Sequence, residues 1–112
     1  MNILSFNIHG LGGGLKRVTF KRLLDSVHPG VVCLQETMSS SFDAYHFFLS
    51  LRPSWFVSAV DSDGHSRGCP VAWKPCLANF SAYVTCAGLL LKGKFINLDV
   101  PIHILNIYAS YS

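Results

Sequence analysis

Glutamate is nearly missing from this sequence: Glu36 is the only one, among six acidic residues in 112. Charge of either sign is scarce, at 13% of residues against 50% hydrophobic, and the mean hydropathy is +0.36. Nine Lys and Arg leave a net charge of +3, compatible with phosphate-bearing ligands but far from a polybasic nucleic-acid tail. The four cysteines, Cys33, Cys69, Cys76 and Cys86, form no C-x-x-C and no zinc-finger spacing with histidine, which argues against structural zinc. No basic segment followed by a long apolar stretch opens the chain, so no secretory leader is expected. Free thiols in a reducing, intracellular compartment (nuclear or cytoplasmic) are expected instead. No run reaches the ~20 apolar residues of a membrane span. The charge-free stretch 75–91 is interrupted by Asn79, Ser81, Thr85 and Gly88 and reads as strands.

What is present reads as β-α-β-α followed by strands alone, in one domain with a modest core. Residues 2–8 form a strand and 9–15 a glycine-rich loop. A helix is predicted over 16–27, where Phe20, Leu23, Leu24 and Val27 recur at helical spacing. Pro29-Gly30 stops it, and 31–35 form a second strand, short, β-branched and buried on both faces. A helix over 42–51 follows, capped from Ser39–Ser41, then strands over 55–60, 69–74, 80–86, 95–100 and 102–108. Polar turns are predicted at 61–64, and Lys92-Gly93-Lys94 as a hairpin turn. The antiparallel portion needs something to bury its apolar face, so a covering partner or further chain is expected.

The strongest site signal is Glu36, a carboxylate at the mouth of a buried strand, which costs free energy unless a cation, donor or proton compensates it. The first strand ends in Asn7, and ligands of open α/β sheets collect at the carboxyl ends of strands. One carboxylate with a neutral oxygen is half of a magnesium site. The alternative is that Asn7 caps the loop and Glu36 pairs with a cation. Gly10-Leu11-Gly12-Gly13-Gly14 imitates a dinucleotide fingerprint, but Leu15 stands at its third glycine position, where a side chain would obstruct helix–strand packing. Lys16, Arg17, Lys21 and Arg22 cluster on the first helix, either as a path for a phosphate backbone or as a solvated face.

Four segments together resemble the endonuclease/exonuclease/phosphatase (DNase I-like) superfamily, closest in style to the endonucleases of LINE-type, non-LTR retrotransposons. They are Ile3–Leu11, with Ser5-Phe6-Asn7 for Ser-Trp-Asn; Val31–Thr37, ending in Gln-Glu-Thr; Asp63–Gly68 with Val71-Ala72-Trp73; and Leu105-Asn106-Ile107-Tyr108 for Asn-x-Tyr. The resemblance implies a two-sheet β-sandwich flanked by helices, here the N-terminal portion of the domain over residues 1–112. It implies phosphodiester hydrolysis with Mg2+, or Mn2+ in its place, on nucleic acid, DNA before RNA. Glu36 would bind the metal, Asn7 would help hold metal and phosphate, and Tyr108 would lie beside the scissile phosphate. Apart from the resemblance, the basic cluster on the first helix makes Lys16 and Arg17 the expected nucleic-acid contacts.

The departures are specific. Phe6 replaces Trp, His9 stands where several members have Asp, Arg67 disturbs the Ser-Gly-Gly turn, and Ala109-Ser110 replaces Gly-Pro. The later Gly-Asp-x-Asn and Ser-Asp-His motifs are absent from the sequence, and neither His65 nor His103 substitutes for them. Without a general base and a phosphate-stabilising histidine, near-inertness of the chain alone is expected.

Overall fold

The computed structural model describes residues 2–59, 61–62, 65–66 and 69–107. Its hub is β2, Pro29–Gln35, buried at every position from Pro29 to Leu34. β1, Asn2–Asn7, pairs with β2 in parallel, and the crossover between them is α1, Gly14–Val27. β6, Val71–Trp73, lies antiparallel on the other side of β2, and β3, Phe56–Ser58, pairs antiparallel with β6. This sheet has the order β1-β2-β6-β3. A second sheet is an antiparallel meander of β7 (Ala78–Val84), β8 (Gly88–Phe95) and β9 (Ile102–Ile107). α2, Ser41–Leu51, precedes β3, and a small hairpin of β4 (Asp61–Ser62) and β5 (His65–Ser66) follows it.

Alternation along β2 explains why two layers cover the first sheet. Val32 and Leu34 join Phe20 and Leu24 of α1 and Phe48 and Leu51 of α2 in one core. Val31 and Cys33 face the opposite way and pack with Val71, Trp73, Phe80, Leu89 and Leu91 in a second core between the sheets. A strand buried on both faces needs apolar residues at successive positions, which is what Val31-Val32-Cys33-Leu34 supplies. The architecture is therefore mixed α/β, two main sheets face to face with both helices on one outer side. Phe20, 1% exposed, anchors the helix layer with rings of Phe6, Phe47 and Phe48 at 5.8, 6.0 and 6.2 Å. Burying such a ring contributes roughly 2–3 kcal/mol.

The helix ends follow from local chemistry. The Ser40 side chain accepts from the backbone N–H of Asp43 at 3.1 Å to start α2, and Pro53 follows its end at Arg52. α1 begins two residues earlier than its periodicity predicts, at Gly14, behind Gly13 with φ 92°, and closes on His28 in the left-handed region.

The middle of the second sheet departs from expectation: β8 lies where a turn and the start of a strand are predicted. Lys92-Gly93-Lys94 is not a turn: it lies inside β8, which ends at Phe95, and 96–100 holds no strand. The hairpin turn falls at 85–87, where Thr85 Oγ1 accepts from the N–H groups of Ala87 and Gly88 at 3.1 and 3.0 Å. Gly93 is there because a Cβ would sit 2.0 Å from the carbonyl oxygen of Asn79. Glycine inside a strand marks close approach of backbones as readily as it marks a turn. The first sheet has one strand more than the second, and beyond β9 a cleft of about 330 Å3 opens between Ile3 and Ser5 on β1 and Ile104, Asn106 and Ile107 on β9. Among the described residues no helix is long and apolar enough to cross a membrane.

Candidate functional site

Past their formal ends β1 and β2 stay joined. The N–H of Ile8 donates to Gln35 O at 3.1 Å, that of Gly10 to Glu36 O at 2.7 Å, and that of Leu11 to Thr37 O at 3.1 Å. This zipper holds 8–11 against 35–37 at the carboxyl ends of both strands. Strict alternation would send the Glu36 side chain after Val32 and Leu34 into the helix-side core. Instead Glu36 takes φ 54°, which ends the extended run, and its carboxylate is 15% exposed.

The carboxylate meets His9: Nδ1 of the imidazole lies 2.9 Å from Glu36 Oε2, with the ring 70% exposed. The backbone N–H of His9 donates to Asn7 Oδ1 at 3.2 Å. Asn7 and Glu36, named from sequence as metal partners, thus both contact His9, Asn7 as a cap on the loop backbone and Glu36 as partner of the ring, the arrangement of the alternative reading. His9 and Met38 also have φ 52°, and Thr37 between Glu36 and Met38 is fully buried with no hydrogen-bond partner for Oγ1. Left-handed non-glycine residues each cost on the order of 1–3 kcal/mol and cluster where structure serves a site.

The two residues named for nucleic acid diverge. Lys16 belongs to the mouth: its Nζ donates to the carbonyl oxygen of His9 and, at 3.2 Å, to that of Gly10. Arg17 instead ties the helices together, its guanidinium donating to Ser50 Oγ at 3.1 Å and Ser50 O at 3.4 Å on α2. Leu15, predicted to obstruct packing of helix on strand, is 80% exposed and obstructs nothing. Tyr108 lies outside the described residues, as does most of 63–68.

The polar residues of two other motifs have structural work. Asn106, 2% exposed on β9, points its Nδ2 at the carbonyl oxygens of Leu34, Cys69 and Pro70, at 2.8, 3.0 and 3.1 Å. Its Oδ1 accepts from Gln35 Nε2 at 2.9 Å, and the same Nε2 lies 3.0 Å from Ser5 Oγ. Trp55 and Trp73 are core residues, 8% and 6% exposed. Burial pushes the Cys33 thiol up to about 11, which keeps it protonated and unreactive.

A divalent ion has a carboxylate, an amide oxygen and an imidazole to meet at this mouth, a donor set that fits such an ion. Among the described residues, no group of three or more His, Cys, Asp and Glu side chains is placed to hold a metal ion. Any ion here would therefore keep several waters. His9 appeared in the sequence only as a departure from a motif. Its spacing from Asn7, two residues along a strand that turns, was the available signal. No protein-family model matches the chain, and no curated protein matches it as a relative.

Proposed function

We propose that residues 1–112 are the N-terminal portion of an endonuclease/exonuclease/phosphatase-type domain, built for metal-dependent phosphodiester cleavage of nucleic acid, DNA before RNA, and nearly inert alone. The observation that carries this reading is the convergence of Asn7 and Glu36 at the carboxyl mouth of β1 and β2, where their motifs are held in register by three backbone hydrogen bonds. The order of the four motif segments and the two-sheet α/β architecture support it. A bound Mg2+ or Mn2+ would supply charge neutralisation at a phosphate oxygen. Glu36 would hold the ion, Asn7 would present its amide oxygen, and Lys16 would bring a cation to the phosphate. Nothing in the sequence supplies the Gly-Asp-x-Asn and Ser-Asp-His motifs, so the attacking water would lack its base. The apolar face of β7, β8 and β9 needs no partner, because the first sheet covers it; a partner or further strand would instead cover Ile3 and Ser5 of β1, in the cleft beside β9.

The test is nicking of supercoiled DNA with Mg2+ by the wild type and by Glu36→Ala. The expected result is negligible nicking by both. Substantial nicking abolished by Glu36→Ala would overturn the inertness and strengthen the kinship. A second reading, a nucleic-acid-binding module without catalysis, is favoured by Lys16 at the mouth. Salt-dependent DNA binding that survives Glu36→Ala and falls with Lys16→Ala would select it.

A further inference from the structure

We propose that His9 and Glu36 form a mixed nitrogen–oxygen site that prefers a first-row transition ion such as Co2+ or Zn2+ over Mg2+. This deepens the reading of Glu36 as a metal-holding carboxylate and rests on it. The Nδ1–Oε2 separation is 2.9 Å. Two donors at right angles on an ion with bonds of about 2.1 Å stand about 3 Å apart, so the pair is already set at the bite of adjacent ligands. An ion entering between them displaces the hydrogen shared by the two atoms to solvent, and the metal-bound imidazole carries its one proton on Nε2.

The backbone has been shaped to hold this bite. His9 and Glu36 are both left-handed, at φ 52° and 54°, and the 2.7 Å bond from Gly10 N–H to Glu36 O locks the two turns together. Asn7 Oδ1, 3.2 Å from the backbone nitrogen of His9, adds a neutral oxygen to the same loop. Imidazole nitrogen suits Zn2+, Co2+ and the ions near them, whereas Mg2+ demands oxygen ligands and near-octahedral geometry. The donor set therefore discriminates by ligand type. Lys16, bonded to the carbonyl oxygens of His9 and Gly10, opposes the ion's charge and keeps the affinity modest.

Titration calorimetry with Co2+, Zn2+ and Mg2+, together with Co2+ absorption spectra, tests the proposal. The expected wild type binds Co2+ and Zn2+ at least tenfold more tightly than Mg2+. His9→Gln should erase that preference, weakening Co2+ and Zn2+ at least tenfold and leaving Mg2+ within twofold. Glu36→Gln should weaken all three, and Lys16→Met should strengthen all three. A wild type that prefers Mg2+, or a Co2+ affinity and spectrum unchanged by His9→Gln, overturns this inference and leaves the reading of Glu36 standing. Divalent binding indifferent to Glu36→Gln, or none at all, overturns both.

Discussion

The Gln35 side chain on β2 reaches across the sandwich and donates to Asn106 Oδ1 on β9 at 2.9 Å, the only side chain–side chain hydrogen bond between the two main sheets among the described residues. Around it the core between the sheets is apolar, so this polar bridge fixes how β9 lies over β2. Removing Asn106 leaves the carbonyl oxygens of Leu34, Cys69 and Pro70 buried with one partner fewer each. Asn106→Leu is expected to cost about 3 kcal/mol, with lost register of β9, since a buried polar group left unmatched costs about 1–3 kcal/mol. Urea unfolding of both proteins measures it.

A second prediction concerns Gly93. An added Cβ would meet the Asn79 carbonyl oxygen at 2.0 Å and Phe80 Cδ1 at 2.8 Å, and the carbonyl belongs to a paired strand that cannot step aside. Gly93→Ala is expected to destabilise by about 3 kcal/mol, at the upper end of overpacking costs. Gly12→Ala, with nothing within 4 Å of its added Cβ, is the matched control and should be near neutral. Equal melting temperatures for the two variants would refute the close-approach account of Gly93.

The third follows from the Cys33 thiol, which burial raises to about 11. The unfolded thiol ionises near its ordinary ~8.5, so the folded state binds the proton more tightly. Stability from this group is whole below about pH 8.5 and is lost as pH rises toward 11, by on the order of 3 kcal/mol at most. Cys33→Ala should flatten that alkaline slope in chemical denaturation. In the native wild type at pH 8, the exposed Cys76 and Cys86 should react quickly with a thiol reagent and the buried Cys33 and Cys69 slowly. Four fast thiols would refute the assignment.

Much of the fold was legible because its decisive residues are locally consistent. Ser40 as a cap, Pro29 after a helix end and the four-residue apolar run of β2 each specify their element without help from distant chain. The site was legible in part. Asn7 and Glu36 announced themselves as polar residues at strand mouths, yet the histidine between them did not. His9 acquires its role only because the zipper of 8–11 on 35–37 brings it to Glu36. Arg17 and Lys16 are neighbours of one charge in the sequence, but adjacent helical residues point about 100° apart, so one meets the loop and the other Ser50 on α2. Gly93 misled because a glycine between lysines carries the composition of a turn, and only the facing backbone shows what it makes room for.

By itself the sequence determined the two helices, the double burial of β2 and the location of a carboxylate at its end, since hydrophobic period and capping chemistry act over a few residues. The tertiary structure alone decided which polar groups meet. Pairing of β1 with β2 across α1 set His9 on Glu36, and packing of β9 over β2 turned Asn106 and Gln35 into a bridge between sheets. Those contacts join residues 27 and 71 positions apart, distances at which no local preference acts and only the burial of shared apolar faces fixes the geometry.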